Sequence, residues 1–188
     1  MQHSAHEFSA NWCRPKTNQS RMKKIISALL FPFTLISFSA SGQVKSKAYN
    51  TLLSTLLSHS VTEISVKEAS QFENTAVFLD ARELEEYKVS KIKNAKPVGY
   101  EHFDISTVKD ISKDQQIIVY CSVGYRSEKI AEKLIAKGFT NVSNLYGGIF
   151  EWKNQGHDVY DTTGITENTH AFNLVWGVWL NAGEKVYE

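Results

Sequence analysis

The residues best suited to chemistry lie together in one stretch, Tyr120-Cys121-Ser122-Val123-Gly124-Tyr125-Arg126-Ser127. A cysteine followed by a short loop, an arginine and the start of a helix forms a cradle for an anion. Loop amides and the helix N-terminus aim their donors inward, Gly124 permits a tight turn, and Arg126 adds a fixed positive charge. A thiolate stabilised at the foot of such a cradle is a nucleophile at neutral pH. Cys121 alone would read as a small core residue closing a strand, since free cysteines are usually inert. The strand, loop, arginine and helix together favour the nucleophile. Past the leader, His59, His102, His157 and His170 have no ligand-like spacing and no second cysteine to join them, so no metal and no cofactor is expected.

Such a loop needs a buried strand to deliver it. Ile117-Ile118-Val119-Tyr120 is a continuous apolar run that ends directly at Cys121. Ala76-Val77-Phe78-Leu79 is a second, ending at Asp80, and Val142 to Leu145 is a weaker third before Gly147-Gly148. Runs of this kind suit strands buried on both faces. Between the second and third in chain order, Ser127 to Lys137 places Ile130, Ala131, Leu134 and Ile135 on one helical face, with Gly138 as the stop. Upstream, Ala48 to His59 carries an apolar stripe of Leu52, Leu53, Leu56 and Leu57, and Ser65 with Glu68 forms a capping box for a short helix through Phe72. Buried strands alternating with amphipathic helices predict an α/β fold, a parallel sheet flanked by helices on both faces. Sites in such folds sit at the carboxyl ends of the strands, which brings Asp80 and Cys121 to one crevice. The Gly147-Gly148 pair, with Trp152 after it, reads as a tight turn and packing anchor.

Residues 22–42 have another purpose. Lys23 and Lys24, an apolar run to Phe38 and small residues at Ala40 and Gly42 follow the layout of a secretory signal peptide cut before Gln43. The apolar stretch is too short for a permanent anchor and contains Pro32. Residues 1–21 are either a miscalled start upstream of Met22 or a disordered leader. A secreted, periplasmic location follows, and cleavage removes Cys13, so Cys121 has no intrachain disulfide partner. The whole chain of 188 residues carries 21 basic and 20 acidic side chains, a balance without the electrostatic footprint of a nucleic-acid binder. Its length accommodates one domain. The expected organisation is an N-terminal helix in 43–60, a catalytic domain in 61–161 and a tail in 162–188. In the tail Phe172, Val175, Trp176 and Trp179 recur at helical spacing, so it reads as an aromatic helix packed on the domain beside the 48–59 helix.

From Val61 to Tyr160 the chain resembles single-domain rhodaneses, a sulfurtransferase family. The resemblance is carried by Phe78-Leu79-Asp80-Ala81-Arg82 with Glu86-Tyr87, by Lys91-Ile92-Lys93-Asn94-Ala95-Lys96-Pro97, by the Cys121 loop, and by Leu145-Tyr146-Gly147-Gly148-Ile149 with Trp152. It implies a five-stranded parallel sheet. It also implies a cysteine that takes sulfane sulfur from a small donor, holds it as a persulfide and passes it to a thiol or cyanide-like acceptor. On that reading Cys121 and Arg126 are catalytic, and Ser122, Val123, Gly124, Tyr125 and Ser127 supply the cradle. Asp80 and Arg82 either hydrogen-bond the loop from the neighbouring strand end or form a structural ion pair. Arg126 either orients an anionic donor or caps the loop by pairing with a carboxylate. Ser90-Lys91-Ile92 stands where the family often has Gly-His-Ile, and Ser122 where several thiosulfate-using members have a basic residue. Four residues separate Cys121 from Arg126, one fewer than in cysteine phosphatases, and the shorter loop fits a terminal sulfur better than a phosphate. The rival to an enzyme is a persulfide carrier or redox-binding module for a partner protein.

Overall fold

The computed structural model describes residues 44–187, so the signal segment expected at 22–42 and the leader expected at 1–21 lie outside the described residues. Helix α1 spans Lys47–Leu56, with the Ser46 hydroxyl accepting from the Tyr49 amide as N-cap. Strand β1 (Glu63–Ile64) leads into α2 (Val66–Ala69), where the Ser65–Glu68 capping box is fully formed. There follow β2 (Val77–Asp80), α3 (Leu84–Val89), β3 (Lys96–Pro97), β4 (Ile117–Tyr120), α4 (Tyr125–Ala136), β5 (Val142–Leu145) and α5 (Gly148–Asn154). The five strands form one parallel sheet in the order β1-β5-β4-β2-β3. No helix among the described residues is long and apolar enough to cross a membrane.

Period-two alternation divides the core between the two faces of this sheet. Phe78, Ile118 and Tyr120 face a cluster with Tyr49, Leu53, Phe150 and Trp152, which places α1 and α5 on that side. Leu79, Ile117 and Val119 face the opposite cluster with Ile130, Ala131 and Leu134 of α4. Ile117, Ile118 and Val119 have no exposed surface, and each such side chain contributes roughly 1.5–3 kcal/mol by burial. The strand that delivers the cysteine loop is therefore among the most firmly anchored elements. Asp80 is in register with Tyr120, so the C-terminal ends of β2 and β4 are level.

The tail departs from its sequence pattern. After the hairpin of β6 (Val159–Tyr160) and β7 (Ile165–Thr166), strand β8 (Asn168–His170) pairs in parallel with β9 (Glu184–Val186). Only one helical turn, α6 (Leu174–Gly177), forms between them. The expected long aromatic helix is absent because Asn173 caps the turn, accepting from the Val175 and Trp176 amides at 3.0 Å each, while Phe172 precedes the cap with φ +65°. The tail nevertheless docks on the N-terminal helix: Trp179 stacks on Tyr49 with ring centroids 5.2 Å apart, and Leu180 is fully buried.

Candidate active site

Strand β4 ends at Tyr120 and α4 begins at Tyr125, leaving Cys121 to Gly124 as the connecting turn. Gly124 has φ +124°, a conformation that only glycine adopts easily, and it turns its amide back to donate to Cys121 Sγ at 3.1 Å. Cys121 is a free thiol, 1% exposed. The Ser127 hydroxyl lies 3.5 Å from Sγ, but Asn144 Oδ1 at 2.6 Å is its much closer acceptor. Asn144 Nδ2 donates to the Gly124 carbonyl at 3.0 Å, so one buried side chain of β5 holds the end of the turn and the first turn of α4 together.

The loop backbone is gripped from a second side. Ile149 and Phe150 at the start of α5 donate their amides to the carbonyls of Cys121 (2.9 Å) and Ser122 (3.2 Å). Gly148 makes this approach possible, since a Cβ there would lie 2.3 Å from the Cys121 carbonyl oxygen. The Gly147-Gly148 pair is thus a packing anchor, and what it anchors is the backbone of Cys121 and Ser122.

Arg126 pairs with a carboxylate. Its Nη1 and Nη2 donate to Glu86 Oε2 and Oε1 at 2.7 and 2.8 Å, and Nη2 also reaches Ser122 Oγ at 3.1 Å. Burial opposes ionisation of Glu86, but the Arg126 guanidinium, with Arg82 further off, outweighs it and holds this carboxyl below its usual range. Arg126 also lies beneath the Phe172 ring, 5.1 Å from its centroid. Asp80 and Arg82 do not hydrogen-bond the loop in the way the first of their two readings requires. They form a fully buried ion pair, Arg82 Nε to Asp80 Oδ1 at 2.9 Å and Nη2 to Oδ2 at 2.6 Å, and the remaining reach of Nη2 goes to the Ser90 carbonyl. Their proximity in sequence makes that closure easy, and Arg82 Nη1, the nitrogen left over, is buried without a hydrogen-bond partner and makes no bond to β4's loop.

Above Cys121 opens a cavity of about 250 Å³, lined by Leu56, Cys121, Ser122, Val123, Tyr125, Arg126, Phe172 and Trp176. The structure thus gathers Cys121, Ser122, Val123, Tyr125 and Arg126 at one cavity, with Gly124 and Ser127 holding the turn beneath, and leaves Asp80 and Arg82 outside its lining. Sequence reasoning missed Glu86 as Arg126's partner, Asn144, and the walls from α1 and the tail. The polar Ser143-Asn144 pair inside a run read as a buried strand was the available signal for one of them. His170 is buried and accepts the Phe172 amide at Nδ1, 3.1 Å away; burial, followed by the nearby Arg82 and Arg126 working against Glu86, keeps it less basic than usual.

Comparisons with known proteins agree with this geometry. The model of the family described as "Rhodanese-like domain" matches residues 65–155. The chain is 34% identical over 84 residues to the tRNA uridine(34) hydroxylase of Pectobacterium carotovorum subsp. carotovorum (strain PC1), covering 42% of this chain and 24% of that protein. It is 32% identical over 88 residues to the protein of the same name from Escherichia coli O6:K15:H31, covering 44% and 25%. The chain therefore spans about a quarter of the length of these relatives. Among solved structures, the BH2092 protein from Bacillus halodurans superposes with TM-score 0.51 and 28% identity over 62% of this chain and 86% of that one. A thiosulfate sulfurtransferase from Pseudomonas aeruginosa gives TM-score 0.50 at 22% identity over 54% and 20%, a likeness of fold. With its five-stranded parallel sheet and the cysteine turn at the end of the central strand, this chain carries a rhodanese-like domain.

Proposed function

We propose that the protein is a sulfurtransferase working through a persulfide on Cys121. The observation that carries this reading is the Gly124 amide donating to Sγ at 3.1 Å, at the start of the 12-residue helix α4 and at the foot of an open cavity. The Cys121 thiolate attacks the outer sulfur of a donor, the donor's sulfur–sulfur bond breaks, and the remainder leaves with the electron pair. An acceptor thiolate or cyanide then attacks the outer sulfur of the persulfide and releases the Cys121 thiolate. Amide donors and the helix N-terminus favour the anionic sulfur at each stage. The hydroxylase activity named for the relatives is not carried over, because the chain spans a quarter of them and its charge balance offers no footprint for RNA. Export through residues 22–42 belongs to the same proposal, and intact mass of protein recovered from the periplasm should place the N-terminus at Gln43.

Cys121→Ser should abolish transfer from every sulfane donor and the gain in mass of one sulfur atom, while the melting transition is retained. Transfer persisting in this variant would refute the mechanism. A wild-type protein that gains the sulfur but does not turn over with small donors and acceptors would be a carrier for a partner protein instead.

A further inference from the structure

We infer that this site takes sulfur from an organic donor with an apolar body, and not from a small inorganic dianion such as thiosulfate; the inference rests on Cys121 being the sulfur acceptor. Among the described residues that line the cavity, Arg126 is the one cation. Its two terminal nitrogens are engaged by Glu86, one of them also by Ser122, and its face lies under the Phe172 ring. The charge is thus already neutralised, and a dianion displacing Glu86 would leave that buried carboxylate without its partner, an exchange with little gain.

The rest of the lining is built for a different guest. Leu56, Val123, Tyr125, Phe172 and Trp176 come from α1, the cysteine loop, α4 and the tail, and they surround about 250 Å³ directly over Sγ. An apolar cavity of roughly 150 Å³ is enough to hold benzene, so a ring or short alkyl group with a sulfur-bearing head fits. Phe172 is also held deliberately. Its φ of +65° is costly for a residue with a side chain; its amide donates to His170 Nδ1, and the next residue, Asn173, is tied into the α6 cap. A wall residue kept in a strained conformation at the mouth of a nucleophile's cavity has a specificity role.

For a thiosulfonate donor, R–SO2–S⁻, the step balances without any further reactant. The Cys121 thiolate attacks the terminal sulfur, the S–S bond breaks, and R–SO2⁻ departs with the electron pair, leaving Cys121–S–S⁻. The apolar R group stays against Phe172 and Trp176 through bond breaking.

Methanethiosulfonate and benzenethiosulfonate share head group and charge and differ in R, so the ratio of their kcat/KM values reports the apolar wall independently of the fraction of active protein. The benzene compound should be favoured by about tenfold or more, the scale of burying one aromatic group, and should exceed thiosulfate as well. Phe172→Ala and Trp176→Ala should each lower that ratio severalfold, and Phe172→Leu should keep most of it. A ratio near one in the wild type, a preference for thiosulfate, or a high ratio untouched by both alanine variants would overturn the inference. If no donor adds sulfur to Cys121 by mass, the sulfurtransferase reading itself fails; if all add sulfur alike, only the donor assignment does.

Discussion

Two arginine–carboxylate pairs stand a few residues apart in this fold and do different work. Arg82 and Asp80 have no exposed side-chain surface, and their hydrogen bonds close within β2, the turn after it and the end of α3. Arg126 and Glu86 are 14% and 5% exposed, and they tie α4 to α3 across the rim of the cavity with Ser122 between them. Depth distinguishes the two less than connectivity does. The first pair fixes the end of a strand and presents nothing to the cysteine loop; the second presents a neutralised cation to whatever occupies the cavity. Identical chemistry thus closes inside the scaffold in one place and stands at the cavity's lining in the other.

Removing one partner from each pair should separate these roles. Asp80→Ala leaves a guanidinium that cannot deprotonate in a fully enclosed site, and should cost about 3–5 kcal/mol in denaturant unfolding. Transfer per folded molecule should be unaltered, and a selective loss of turnover would make Asp80 part of the site after all. Glu86→Gln should cost less, about 2 kcal/mol, because Arg126 retains Ser122 and some access to water. It frees a positive charge at the rim, so the KM for thiosulfate should fall relative to that for an uncharged donor; an unchanged ratio would mean that Arg126 has no influence on donors. The smallest effect concerns acid. Glu86 has a carboxyl held below its ordinary value of 4.5, so its contribution to stability is complete above that pH and is lost as the pH falls through the lower, folded-state value. The stability gap between wild type and Glu86→Gln should therefore be constant from neutrality to about pH 5 and shrink below pH 4. A gap that shrank near neutrality would point to a different titrating group.

Much of this arrangement was legible from residue order. Ile117 to Tyr120 and Ala76 to Leu79 read as buried strands because apolar, β-prone runs of that length fit a sheet covered on both faces, and the Ser65–Glu68 box marked α2 by local chemistry alone. The Cys121 loop declared itself through its neighbours. What stayed hidden was settled by tertiary contacts. Glu86 and Arg126 are 40 residues apart, and no local pattern pairs them. In the tail the spacing of Phe172, Val175, Trp176 and Trp179 imitates a helix, yet the Asn173 side chain takes the amides that a longer helix would have used, and Phe172 falls outside the turn. A period is evidence of which residues could share a face, and a capping residue inside it decides whether they do.

The missing side chain at Gly148 has a consequence for polarity. A trans peptide holds its carbonyl and the next amide in one plane, pointing in opposite directions across the C–N bond. With the Cys121 and Ser122 carbonyls bound by the amides of Ile149 and Phe150, the N–H groups of Ser122 and Val123 are obliged to point away from α5. Neither plane can flip without breaking a bond to a helix seated on the loop. The electrical orientation of the turn is thereby set during folding, by a glycine at the exit of another strand.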